Sequence, residues 1–371
     1  MKKYLVVLGM VAVLVVMGGV YLWLYRSGTV VNSPLGQIGE SIKNIEARPL
    51  DRYSFENLKK QGGVASGIEI GPHFAKASRG EEGLDYERRM FYFKSEGKRI
   101  SGALNWPKKL GELGNSGNLG DASVIIMIHG FVEKEGYYSG FGTEKVAGEL
   151  AKAGYVTLAP DFAGFGESDK EAEDVFAARF QTYTTVLDLL ASVEKLKNSN
   201  DQNSKPGISD FDIRASNFVG MWGHSNGGQI ALSVLEILGQ PIPTVLWNPV
   251  SKPFPYGILY YTDTFDDQGK MLRRELAKFE EKYDVEKYDM VKFLDWITPA
   301  TPILLQQGGA DPWVPKEWSD ELAKQLAASS QGLEQGTKRI EYEVYVGSDH
   351  NLVPKWGGAV EDLVGFYSRS L

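Results

Sequence analysis

Cysteine is missing from all 371 residues. Its absence excludes disulfides, thiolate metal sites, a cysteine nucleophile and a lipid-modified N-terminal cysteine. Histidine is scarce, with only His73, His129, His224 and His350. That is little material for a metal site, and no metal or organic cofactor is expected. A basic excess is lacking too. Forty Lys and Arg stand against 48 Asp and Glu, for a net charge of -8. The one local basic cluster, Arg273-Arg274, lies in a mixed-charge helical stretch, so the balance argues against a nucleic-acid partner. Charge of either sign is absent from one long stretch, Tyr4 to Tyr25.

That stretch is mostly Val, Leu, Met and Gly. As a helix rising about 1.5 Å per residue it would reach roughly 33 Å, enough to cross a bilayer core. Lys2 and Lys3 precede it and Arg26 follows. The positive-inside rule then puts the N-terminus in the cytoplasm and the remainder outside. Residues 1–26 are expected to form an uncleaved single-pass anchor that contacts lipid through residues 4–25. A cleaved signal peptide is the competing reading, and Arg26-Ser27-Gly28-Thr29 is a poor small-residue cleavage site for it. Residues 27–84, rich in Gly, Ser and Lys, read as an extracytoplasmic stalk with a short ordered piece near Tyr53–Lys60.

What is plentiful is apolar: 43% of residues are hydrophobic, enough for a large core in residues 85–371. Met90–Phe93 and Ile100–Leu104 read as a hairpin turning at Glu96-Gly97. Residues 124–128, 155–159, 217–222, 244–247, 302–306 and 340–345 read as further strands. Helical spacing appears over 140–153, 175–196, 228–238 and 358–370. Strands alternating with helices imply an α/β fold, a mostly parallel central sheet with helices on both faces. Residues 251–301 interrupt this pattern with a charged helix over Lys270–Tyr283 and the aromatics Phe254, Tyr256, Tyr260 and Tyr261. They are expected to form a small cap over the rim of a site; an ordinary decorated crossover is the alternative.

The most informative segment is Gly223-His224-Ser225-Asn226-Gly227. It has the form G-x-S-x-G between an apolar strand and a helical pattern, the setting of a nucleophile elbow. Ser225 is the candidate nucleophile, and small neighbours keep its strained turn free of clashes. A serine hydroxyl needs an adjacent base. His350 is the only histidine after the elbow and follows the last strand. Asp311 follows the preceding strand in Gly308-Gly309-Ala310-Asp311-Pro312, where it would orient His350. Its other reading is a turn cap before Pro312. Asp349, Asp320 and Asp295 are rival acids. An oxyanion hole needs two N–H donors; Asn226 and Phe131 are expected to supply them. His129 and His224 are read as structural, and His73 has no assigned role.

These residues resemble the α/β-hydrolase superfamily over roughly Tyr86 to Leu371. The likeness rests on His129-Gly130-Phe131, on Pro160 to Ser168, on the elbow, and on Asp311 and His350 in that order. Gly227-Gly228, Asp311-Pro312-Trp313-Val314-Pro315 and the hairpin ending at Trp106-Pro107 carry a narrower resemblance to the prolyl oligopeptidase catalytic domain and its dienelactone-hydrolase-like relatives. The stalk is too short for the peptidases' β-propeller, and the dienelactone hydrolases' cysteine is absent. The resemblance implies a serine hydrolase acting on short peptides or acylated amines. A carboxylesterase or an acyltransferase is the alternative, and a non-catalytic binding module a remote one. Family members often bind a substrate amine with acidic residues, a role that would fall to Glu133 and Glu135 unless they are only exposed loop carboxylates. Trp313 is a further candidate substrate contact. Oligomeric state is not readable.

Overall fold

The structure is a computed structural model that describes residues 48–73, 85–110, 123–198, 219–264, 266–329 and 340–371. Tyr4–Tyr25 and most of the expected stalk lie outside the described residues. Among the described residues no helix is long and apolar enough to cross a membrane. The chain divides into two units, Met1–Asp51 and Arg52–Leu371. In the first, Arg48 pairs with Asp51 at 3.0 Å.

The second unit is built on a sheet whose described strands are β1 (Glu69–His73), β2 (Tyr86–Ser95), β3 (Lys98–Pro107), β4 (Val124–Ile128), β5 (Val156–Pro160), β6 (Val219–His224), β7 (Thr244–Trp247), β8 (Ile303–Gly308) and β9 (Ile340–Tyr345). Their order across the sheet is β1-β2-β3-β5-β4-β6-β7-β8-β9. The pairs from β1 to β5 run antiparallel, and those from β5 through β9 run parallel. Every residue of β4, Val-Ile-Ile-Met-Ile, is buried, as befits a strand covered on both faces. The β2–β3 hairpin turns at Glu96 and Gly97, both at positive φ. That geometry matches the twist of the flanking strands.

Helices cover both faces. They are α1 (Phe55–Gln61), α2 (Glu144–Ala153), α3 (Val175–Asn198), α4 (Asn226–Leu238), α5 (Tyr256–Leu259), α6 (Lys270–Glu280), α7 (Lys316–Ser329) and α8 (Trp356–Ser370). One core layer joins Ile125, Met127, Trp222, Val245, Trp247 and Leu304 of the sheet to Val146 and Leu150 of α2 and to Leu363, Phe366 and Tyr367 of α8. On the other side Phe176 and Phe180 of α3 pack against Phe254, Phe279 and Tyr288. The chain crosses between β4 and its two neighbours β5 and β6, so the strand order reverses there. The crevice at the carboxyl ends of such strands is where open α/β sheets bind ligands.

Two expectations need correction. Tyr53–Lys60 does not sit within a stalk. Phe55 of α1 is wholly buried; it stacks on Phe293 at 4.9 Å and meets Tyr183 edge-on at 6.0 Å. Beyond α1, the Val64 N–H donates to Asp188 Oδ1 and the Ser66 N–H to Ser192 Oγ, both acceptors on α3. Residues 69–73 then add β1 to the sheet edge. The folded unit therefore starts at Arg52 rather than 85. The composition of this segment is loop-like because only two or three of its side chains are anchors. The second correction concerns 251–301. That insertion holds α5, α6 and short 3₁₀ turns, and its aromatics divide: Phe254 packs inward on α3, while Tyr256 and Tyr260 stay 50% and 40% exposed against Trp318.

Candidate active site

The strand-to-helix turn after β6 places Ser225 at φ 57° and ψ −121°, a conformation L-residues avoid unless the surroundings enforce it. The enforcement is visible. The Ser225 N–H donates to the Trp247 carbonyl at 2.9 Å, while the Ser225 carbonyl accepts from the Gly228 and Val250 N–H groups. Glycine is required because backbones cross at close range: a Cβ on Gly227 would lie 2.1 Å from the Ile128 carbonyl oxygen, and one on Gly223 would lie 2.5 Å from that of Gly227. The motif's glycines thus let α4 start directly against β4.

That closeness also brings the loop after β4 to the nucleophile. A Cβ on Gly130 would stand 2.8 Å from the Ser225 Cβ. Phe131 follows with its ring mostly exposed, and Asn226 opens α4, where first-turn N–H groups have no intrahelical acceptor. Both residues line one cavity of about 480 Å³. His129 steadies this loop. It is buried, its Nδ1–H donates to the Gly130 carbonyl at 2.7 Å, and rings of Tyr137, Phe162 and Phe165 surround it. Burial lowers its pKa, so it stays neutral, as a structural histidine should.

Asp311 and His350 come together. The His350 Nδ1–H donates to Asp311 Oδ2 at 2.7 Å, and the Asp311 side chain is fully buried. The other oxygen, Oδ1, accepts from the Trp313 and Val314 N–H groups. The two readings of Asp311 are therefore both realised, one oxygen for each. The rivals are occupied elsewhere: Asp349 caps its own turn through the Asn351 and Val353 N–H groups. Asp320 pairs with Lys316 and Tyr342, and Asp295 lies exposed in a 3₁₀ turn. With Nδ1 committed to a carboxylate, the His350 ring has Nε2 left to take up a proton.

Sequence reasoning missed the residue that ties these loops together. Asn248 is fully buried at the end of β7, at φ 43°. Its Nδ2–H donates to the His350 carbonyl at 2.8 Å and its Oδ1 accepts from the Gly308 N–H at 2.6 Å. One side chain thus registers the base loop against the acid loop. The available signal was an asparagine at the end of the strand between elbow and acid, a residue type tolerant of positive φ. Asp161 plays a similar part on the other side, accepting from Ser101, Tyr137, Ser139 and the Gly140 N–H.

His224 adds a second donor to the same His350 carbonyl, through Nε2–H at 2.8 Å. Its pKa is lowered to about 4, by burial first and by the neighbouring His350 second. The unfolded chain therefore binds this proton below about pH 6.5 while the folded one refuses it until about pH 4. The stability linked to His224 is complete above pH 6.5 and is lost as pH falls toward 4, by up to about 3 kcal/mol on that linkage. Melting curves of wild type and His224→Gln should show the wild type losing stability faster between pH 6.5 and 4. Parallel curves would refute the assignment.

The cavity beside Ser225 is lined by the loop 129–135, by the turn around Phe162 and Phe165, and by α3 from Ala178 to Thr185. Glu133 and Glu135 are at its mouth and solvent-exposed. Trp313 is not among its lining residues; it is 54% exposed beside Asp311. No residue of 251–301 lines this cavity, and neither do Ser225, Asp311 and His350 themselves; α3 forms one wall of it. Among the described residues no cluster of three or more His, Asp or Glu is placed to hold a metal ion.

A nucleophile elbow, an acid–base pair from the last two strands and an adjoining cavity are the parts of a serine hydrolase built on the α/β-hydrolase fold. The protein family described as "Serine aminopeptidase, S33" matches residues 121–259. No curated protein sequence matches the chain. Among solved structures, an esterase of Pyrococcus furiosus is 18% identical with a TM-score of 0.52, covering 81% of this chain and 98% of its own. Est1E of Butyrivibrio proteoclasticus with bound ferulic acid is 20% identical with a TM-score of 0.47, covering 75% and 98%. At such identities these likenesses concern the fold.

Proposed function

We propose that this serine hydrolase is a carboxylesterase for small esters, working through Ser225, His350 and Asp311. The observation that carries the ester over the peptide reading is which charged group of the cavity wall is withdrawn from solvent. An aminopeptidase must hold a substrate ammonium, but Glu133 and Glu135 are exposed at the mouth, where ion pairs contribute little. Of the charged residues that line the cavity, Glu133, Lys134, Glu135 and Glu171 are exposed and only Arg179, a cation, is partly buried, where it repels an ammonium. The Pyrococcus furiosus structure quoted above is named an esterase, which agrees with this reading.

In this mechanism Ser225 Oγ attacks the ester carbonyl carbon as His350 Nε2 takes its proton. Asp311 holds the imidazole and stabilises its cation. The Phe131 and Asn226 N–H groups receive the oxyanion in a site whose dipoles are already oriented. His350 returns the proton to the departing alcohol oxygen, leaving an acyl-Ser225. Water, deprotonated by His350, then releases the acid and restores the serine. Turnover of 4-nitrophenyl butyrate beside aminoacyl 4-nitroanilides decides the substrate class. Ester turnover with amides at least 100-fold slower is expected; efficient anilide cleavage would return the peptidase to first place.

The proposal places the enzyme on the outer face of a membrane, supported by the uncharged run Tyr4–Tyr25 and the lysines before it. Deleting residues 1–26 should move the protein from a carbonate-resistant membrane fraction to the soluble one.

A further inference from the structure

Arg179 lies on α3, only partly exposed, in the wall of the cavity that Asn226 and Gly130, the neighbours of Ser225, also line. Its Nη2 donates to Gln229 Oε1, a neutral amide, at 2.7 Å. Its Nε is buried without a partner, and the Tyr183 phenol is beside it. Among the described residues no carboxylate pairs with it. The other cavity cation, Lys134, is exposed and already paired with Glu171. A buried carboxyl that also acts on Tyr183 is Glu236, fully buried with both oxygens unpartnered. Burial and the neighbouring Asp289 and Asp295 push its pKa well up, which disfavours the charged form that would balance Arg179.

A partly buried guanidinium whose charge is unbalanced is costly to maintain. Its planar fork of donors suits a carboxylate, which it can bind through two parallel N–H···O bonds. Position gives the length of the ligand. Gln229, which Arg179 contacts, is three residues past Asn226 on α4, about one helical turn or roughly 5 Å along the axis from the oxyanion donor.

We infer that Arg179 is a specificity residue that binds a carboxylate carried by the substrate a few bonds from the scissile ester. The preferred substrates are then anionic esters such as monoesters of short dicarboxylic acids or esters of hydroxy acids. This inference rests on the esterase reading and sharpens it. The same carboxylate chemistry can enter on the acyl side or on the alcohol side, and the assay separates the two. Glu133 and Glu135 at the mouth oppose a dianion more than a monoanion, which favours substrates with a single free carboxylate.

The test uses the full chain and two matched pairs: mono-4-nitrophenyl glutarate against 4-nitrophenyl valerate for the acyl side, and 4-(butyryloxy)benzoate against 4-(butyryloxy)toluene for the alcohol side. The readout is the ratio of kcat/KM for the anionic over the neutral member, which cancels changes common to both. Wild type should prefer the anionic ester of at least one pair. Arg179→Gln should cut that ratio tenfold or more, and Arg179→Lys should keep part of it as a point charge. Circular dichroism establishes that each variant is folded. A wild-type ratio of one or below in both pairs, or a ratio unchanged in Arg179→Gln, overturns the inference while hydrolysis of the neutral esters leaves the esterase standing. Failure to turn over any of the four esters, with Ser225 still labelled by a fluorophosphonate, removes the esterase reading and the inference with it.

Discussion

Ser225→Ala should abolish labelling by a fluorophosphonate and lower kcat for ester hydrolysis by about 10⁶-fold, in line with removal of a triad serine elsewhere. Asp311→Asn should cost about 10⁴-fold, because an amide in place of Oδ2 no longer selects the Nδ1–H tautomer that presents a basic Nε2. The double variant should be no slower than Ser225→Ala alone, since the residues act as one unit. Asp311 also caps its turn through Oδ1, so the folded state of each variant needs a melting curve beside the rates. A folded Ser225→Ala that still reacts with fluorophosphonate would place the nucleophile elsewhere and undo the mechanism. Asn248 offers a finer check. Because it touches the His350 carbonyl and the Gly308 N–H without reaching the ring, Asn248→Ala should lower kcat while leaving the identity of the labelled serine unchanged.

The parallel half of the fold was readable because its strands are short apolar runs with nothing but helical periodicity between them, and because backbone geometry restricts the elbow to glycine, serine and small neighbours. Ser225, Asp311 and His350 stood out for the same reason: each follows a strand, and with no cysteine and four histidines there was little competition. Asn248 was not readable. Its role comes from two backbone groups, one at the end of β8 60 residues away and one in a loop 102 residues away, and no local pattern marks such a contact. Arg179 was hidden for another reason. Its helix carries polar residues on the cavity face and aromatics on the core face, so periodicity described a long helix without saying which side faced the nucleophile. Of the aromatics in 251–301 that suggested an apolar rim, Phe254 buries itself against Phe176 and Phe180, while Tyr256 and Tyr260 stay partly exposed beside Trp318.

The start of the folded unit is the error with the largest practical consequence. Residues 52–73 have few apolar side chains, yet Tyr53, Phe55 and Leu58 are each 1% exposed or less. Burial of such side chains contributes about 1.5–3 kcal/mol each, against a typical net stability of about 5–15 kcal/mol. A chain beginning at residue 85 loses all three. It also strips β1 from β2, leaving a long strand edge open to aggregation, and it removes the donors to Asp188 and Ser192 on α3. Asp188 then loses the Val64 N–H and keeps the Ser95 hydroxyl. Residues 85–371 alone should therefore be largely insoluble or melt at least 15 °C below a chain that begins at residue 48, with ester hydrolysis lost in parallel because α3 forms the cavity wall. Phe55→Ala in the longer chain should cost about 3–5 kcal/mol, as for other large buried aromatics, and would show that the segment acts by packing. If residues 85–371 melt within 2 °C of the longer chain, the segment is an appendage and the expected stalk boundary was right.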